Sequence, residues 1–323
     1  MLRIRIYCTL FALLLLVQSC RGASVQPDSV ATPQLCPRDI SASQTFSQVR
    51  SSPENTESPE PDQTCDIRRI EKLLKDAEQD FPGIFGASFQ EIPGGLHCGV
   101  KEDRTFQAAS IIKIPVMYEL YMRSRAGLID LDETVTVNES DYVDGGGVMK
   151  NQPGRRSYRL RELGELMITK SDNTATDLLI KRLGMDEINS TMKKAGLDKT
   201  SVKRLIFDFD AVDRGLDNLT TPRDIRTILL SIHNEQKRDA ASTEMLDILK
   251  RVERRDMIPS GLPDDIPVAH KTGELSGVLL DTAIIYLKEK PYILCLMGEE
   301  IRDRDGAVAL FAALSKKIYA EMK

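Results

Sequence analysis

Ala109-Ser110-Ile111-Ile112-Lys113-Ile114-Pro115-Val116-Met117-Tyr118 sets a hydroxyl and an amine three residues apart at the mouth of an apolar helix. Residues at i and i+3 share a helix face, so the Lys113 amine can reach back to the Ser110 hydroxyl and, if neutral, take its proton. Spacing alone is a weak signal, because Ser190-Thr191-Met192-Lys193 repeats it on a polar amphipathic helix whose lysines belong in water. The surroundings separate the two cases. Ile111, Ile112, Ile114, Val116 and Met117 are apolar all round, as in a helix enclosed by protein, where a lysine needs a local reason.

Working outward, Ile67, Ile70, Leu74 and Ala77 recur at helical spacing, and Pro82-Gly83 stops that first helix. Residues 84–92 and 96–100, joined by Pro93-Gly94-Gly95, read as a hairpin. Beyond the Ser110 helix, 128–137 is a short extended or turn region and 142–157 a loop, with Gly145-Gly146-Gly147 as a flexible piece at a pocket rim. Helices follow at 160–169, 174–183 and 185–195. No period holds over 203–221, which predicts a long structured loop of a kind that often carries function. Thr221-Pro222 opens a helix to about His233. A helix over 241–252, three β-type runs at 266–272, 281–287 and 292–298, and an amphipathic helix over 306–322 complete the chain. That order predicts an α/β (α+β) fold: a five-stranded antiparallel sheet flanked by helices (66–105 and 222–323), interrupted by an all-helical insertion (106–221).

The 323 residues carry a net charge of −5 with both signs mixed, which leaves no basic footprint for nucleic acid. No repeat of solenoid length recurs. Arg3 and Arg5, the apolar run Leu10 to Val17 and then Gln18-Ser19-Cys20 read as a signal peptide over 1–20, too short in its apolar part to span a bilayer. Val17-Gln18-Ser19-Cys20 resembles the cleavage box of bacterial lipoproteins, which makes Cys20 the expected lipidation site and the chain an exported, membrane-anchored protein. Residues 21–64 are rich in Ser, Pro, Thr and Gln with few large apolar side chains. They are expected to form a disordered tether with ends roughly 35 Å apart, ahead of a folded domain over 65–323. Cys295 lies in an apolar run and is expected to pack as a small core residue, while pairing among Cys36, Cys65 and Cys98 is left open.

Two further short motifs occur once each: Ser171-Asp172-Asn173, 61 residues after Ser110, and Lys271-Thr272-Gly273, 100 residues later still. In isolation, Ser171 or Asp172 reads as a helix cap and Lys271 as a solvated strand end. Together, in this order, the three motifs resemble class A β-lactamase-like serine hydrolases, the superfamily shared with penicillin-binding proteins. The likeness covers roughly 66–323 and extends to Leu219-Thr220-Thr221-Pro222-Arg223-Asp224 and to the residues after Gly273.

The resemblance implies a β-lactamase that forms an acyl-enzyme on Ser110, with Lys113 assisting proton removal and the backbone N–H groups of Ser110 and Glu274 forming an oxyanion hole. It implies a proton relay through Ser171 to the leaving nitrogen. It assigns Asn173 to the substrate's side-chain carbonyl, and Lys271, Thr272 and Gly273 to the strand that receives a substrate carboxylate. The loop departs from the family. Where class A enzymes carry a Glu that positions the deacylating water, Lys203-Arg204-Leu205-Ile206-Phe207-Asp208-Phe209-Asp210-Ala211-Val212-Asp213 has none. Asp208, or alternatively Asp210, could stand in, one methylene shorter. Both could equally pin the loop to Arg204 or Arg214. The Glu274 carboxylate either repels an anionic substrate or points to solvent.

Substrates on this reading are β-lactams or D-alanyl peptides, handled by a monomer without cofactor or metal. His97, His233 and His270 show no metal-ligand spacing, and no Gly-x-Ser-x-Gly elbow is present. His270 is expected on the strand face opposite Lys271. The alternatives are a penicillin-binding D,D-peptidase or esterase with slow deacylation, and a non-catalytic binding lipoprotein.

Overall fold

The computed structural model describes residues 67–152 and 154–323. The expected signal peptide with Cys20, the expected tether, Cys36 and Cys65 lie outside the described residues. Helix α1 (Ile67–Asp80) buries Ile70, Leu74 and Ala77, the stripe its periodicity predicts. Strands β1 (Ile84–Glu91) and β2 (His97–Val100) form the expected hairpin. Strand β3 (Phe106–Gln107) leads to a 3-10 turn, Ala109–Ile112, which continues into α2 (Lys113–Arg125). Next come β4 (Thr134–Val137), β5 (Arg156–Arg159), α3 (Leu160–Thr169), α4 (Asn173–Leu183) and α5 (Met185–Lys194). The aperiodic segment holds a five-residue helix, α6 (Phe209–Asp213), and ends in β6 (Leu219–Thr220). Helices α7 (Pro222–Glu235) and α8 (Ala240–Leu249) precede β7 (Val268–Leu275), β8 (Val278–Ile285), β9 (Tyr292–Glu299) and α9 (Arg304–Met322).

The five long strands make one antiparallel sheet in the order β2-β1-β9-β8-β7. Every residue of β8 is buried, because α1 and α9 cover one face of the sheet and helices led by α7 and α8 cover the other. Phe81, Phe85 and Phe311 pack together in the first layer, with Phe81 stacked on Phe311. The second layer continues into the helical part around α2, whose residues Lys113 to Tyr121 are buried on all sides. Such enclosure is what an all-round apolar helix requires.

Two short ladders, β3 with β6 and β4 with β5, also form; β4 falls in the stretch expected to be extended or turn, and β3, β5 and β6 lie where the sequence predicts no strand. At two to four residues each they are too short to show alternation. Strand β7 runs on to Leu275, beyond the expected end at Thr272, because all eight of its residues pair with β8. This extension carries Gly273 and Glu274 along the outer edge of the sheet, next to the Ser110 turn.

Candidate active site

Ser110 sits half-buried where the 3-10 turn meets α2, after Ala109 at φ 42°. Strand β7 packs directly on this turn. A Cβ on Gly273 would lie 3.2 Å from the Ala109 Cβ and from Ile111 Cγ1, so a side chain there would push strand and nucleophile apart. Lys113 is fully buried one turn into the helix. Its Nζ lies 3.2 Å from Ser110 Oγ, 3.0 Å from Ser171 Oγ, 2.7 Å from Ser171 O and 2.9 Å from Asn173 Oδ1. Burial holds its pKa well below the usual lysine range, and the nearby charge of Lys271 lowers it further against the opposing pull of Asp172 and Asp177. A neutral amine is a base, and the Ser110 hydroxyl within its hydrogen-bond reach is a nucleophile in waiting.

Ser171 joins both halves of the site. Its Oγ accepts from Lys113 Nζ at 3.0 Å and from Lys271 Nζ at 3.0 Å, so one hydroxyl bridges the two buried amines. Lys271 also donates to Thr272 O, and burial pulls its pKa down to about 7. His270 points to the opposite face of β7, where Asp281 holds it 3.3 Å away. Asp172 serves as a cap, as its isolated reading suggests. Oδ1 accepts from Ala175 N at the start of α4, while Oδ2 receives the N–H groups of Val148 and Met149. Asn173 Nδ2 donates to Asp144 O, and Asn173 N to Gly146 O. The Gly145-Gly147 segment is thus clamped from both sides, where the sequence suggested a flexible rim. Gly145, at φ 86°, lies so close to Asn173 and Phe207 that a Cβ would meet both within 3 Å.

A cavity of about 480 Å³ opens over these groups, lined by Ser110, Ser171, Asn173, Lys271, Thr272 and Glu274 together with Ile206, Phe207, Phe209, Asn218 and Arg254. Asp208 and Asp210, the two expected stand-ins for the missing Glu, do not line it. Asp208 Oδ1 caps α6 by accepting from Ala211 N at 2.9 Å, and Asp210 is exposed. An aspartate at a helix start is held by the free N–H groups there, which turns it away from the cavity. Arg204 pairs with Asp217, not with Asp208 or Asp210. Asn218 Oδ1 accepts from the N–H groups of Lys203 and Arg204, and Asp177 Oδ1 from Ile206 N at 2.8 Å. These anchors turn Ile206 and Phe207 toward the cavity. Sequence reasoning missed Asp177, Asn218 and Arg254; Arg254 stands in an Arg-Arg-Asp run that reads as a solvated turn.

Both carboxylates that line the cavity are ion-paired. Glu253 pairs with Lys170, and Glu274 with Arg254 and Arg304, which hold its carboxyl below the usual range. Among the described residues no group of His, Cys, Asp or Glu is arranged to hold a metal ion.

Residues 68–322 match the model of the beta-lactamase enzyme family. The chain belongs to that family. A β-lactamase of Bacillus licheniformis is 28% identical over 236 residues, covering 71% of this chain and 75% of that protein. Among solved structures, a β-lactamase from Sphaerobacter thermophilus superposes with a TM-score of 0.72 at 25% identity, over 80% of this chain and 98% of that one. A variant of PBP-A, solved as its acyl-enzyme complex with penicillin G, gives 0.71 at 27% identity over 79% and 96%. The β-lactamase fold accounts for the sheet, the helical insertion and the meeting of three sequence motifs at one cavity.

Proposed function

We propose that the chain is a class A-type serine β-lactamase working through an acyl-enzyme on Ser110. Ser110 Oγ attacks the lactam carbonyl and passes its proton to the neutral Lys113 amine. The backbone N–H groups of Ser110 and Glu274 receive the negative charge that develops on the carbonyl oxygen. The C–N bond then breaks, and Ser171 relays the proton to the departing nitrogen. Asn173 takes the substrate's side-chain amide, and Thr272 with Lys271 takes the group beyond the nitrogen. The observation that carries this reading is the Ser171 hydroxyl, 3.0 Å from each of two buried amines and on the same cavity as Ser110.

Hydrolysis of the acyl-enzyme is the slow step on this account. No unpaired carboxylate lines the cavity among the described residues, and Ile206 and Phe207 face it instead. The same observation favours a second reading, a penicillin-binding D,D-peptidase or esterase that β-lactams inhibit. We assign residues 1–20 to export and Cys20 to a lipid anchor, with 21–64 as the tether that holds a monomeric domain away from the membrane. Nitrocefin separates these readings. A β-lactamase gives a burst of one equivalent followed by sustained turnover, lost in Ser110→Ala. A burst with no turnover, plus cleavage of a D-alanyl peptide, selects the peptidase.

A further inference from the structure

Arg254 lines the cavity beside Lys271, and Arg304 stands behind Glu274 outside the lining; both guanidinium groups are already engaged. Glu274 on β7 accepts from Arg254 Nη1 at 2.5 Å, from the segment after α8, and from Arg304 Nε and Nη2 at 2.6 and 3.2 Å, from the first turn of α9. Arg254 donates a second time to Asp256 at 2.9 and 3.1 Å, and Arg304 to Asp305 at 3.0 Å. Two positive charges, Arg254 and Arg304, thus meet three negative ones, Glu274, Asp256 and Asp305. The other cations of the lining are committed too: Arg204 to Asp217, Lys170 to Glu253, and Lys271 to Ser171 Oγ and Thr272 O. A cavity built to attract an anion keeps cationic donors unspent, and the cations of this lining are engaged internally.

We infer that Glu274 is a specificity-determining residue. Its carboxylate, braced by Arg304, occupies from within the chain the Arg254 group that a substrate carboxylate would otherwise engage. The cavity therefore accepts acyl donors that are neutral at this end almost as readily as anionic ones. The pairs are about one-third to one-half exposed, so a ligand can compete for them, and added salt weakens the competition. This inference rests on the acyl-enzyme reading above.

The test compares acylation of the full chain by benzylpenicillin and by its neutral carboxyl methyl ester, followed as mass gained on Ser110. The readout is the ratio of the two rate constants within one protein, so a partly folded variant does not distort it. Wild type is expected to give a ratio within about fivefold of one. Glu274→Gln frees Arg254 and raises the ratio at least tenfold toward the acid, about 1.4 kcal/mol. That gain shrinks as NaCl goes from about 0.05 to about 0.5 M. Arg304→Gln, which strips Glu274 of one partner, shifts the ratio several-fold toward the ester. A wild-type preference for the acid above about a hundredfold, or a ratio that Glu274→Gln leaves unchanged or lowers, overturns the inference while leaving the acyl-enzyme intact. Absence of an adduct with either compound overturns the acyl-enzyme reading and the inference with it.

Discussion

Replacing Ile206 by glutamate tests directly why release of the acyl group is slow. Ile206 lines the cavity with Ser110 and Asn173, and its N–H is fixed to Asp177 Oδ1 at 2.8 Å, so the backbone should stay in place when the side chain changes. The half-buried isoleucine gives up apolar contact, a cost on the order of 1 kcal/mol. In return the cavity gains a carboxylate without an ion-pair partner, which none of the described lining residues supplies. A positioned general base contributes about 10² to 10⁴ in rate, and deacylation should rise by that range. The new charge also favours the protonated form of Lys113, so acylation should slow, by up to roughly tenfold. Single-turnover decay of the penicilloyl adduct, followed by intact mass, reads both steps. An adduct that decays at the wild-type rate in Ile206→Glu, with acylation preserved, would refute the view that release is slow for want of an unpaired carboxylate at the cavity.

Other expectations follow from the same contacts. Asp208→Ala removes the cap of α6 and should cost about 1 kcal/mol in urea unfolding while leaving deacylation within about twofold of wild type; a hundredfold loss would restore Asp208 to the chemistry. Gly273→Val places a side chain against Ala109 and Ile111, so acylation should fall at least about tenfold with a stability loss of about 1–3 kcal/mol, measured by nitrocefin burst and thermal unfolding. Lys271 binds its proton at about 7 in the folded chain and near 10.5 when unfolded, so between these values the unfolded state holds more protons. Its contribution to stability is therefore greatest above the unfolded value and is lost as pH falls to about 7. Urea unfolding should show stability rising from pH 7 to pH 9 by up to about 1.4 kcal/mol per unit, a slope that Lys271→Met reduces.

Much of this was legible in the chain itself, for reasons particular residues make plain. Ser110 and Lys113 stand in a run apolar on every side, and a lysine placed there had to be buried; the structure buries it completely. The strands that build the sheet are eight residues long apart from β2, enough for runs of Val, Ile and Leu to stand out. The loop over 203–221 was recognisable as a loop, but an aperiodic segment does not reveal which side chains turn inward. That choice rests on partners far away in sequence: Asp177 for Ile206, and Asp217 and Asn218 for Arg204. Asp208 was the natural candidate for a missing carboxylate, yet the local demand of a helix start claimed it first. Glu274 left two orientations open, and what decides between them is an arginine 20 residues before it and another 30 residues after.

Ser110 is expected to form a covalent ester whose release is slower than its formation. The mass of the intact chain, recorded against time after mixing with benzylpenicillin, measures this with no other assumption. The account predicts a rapid gain of one penicillin mass, located on the peptide that contains Ser110 and absent in Ser110→Ala, followed by a slow return to the starting mass. Antibiotic destruction that persists in Ser110→Ala, or an adduct on a different residue, would contradict it.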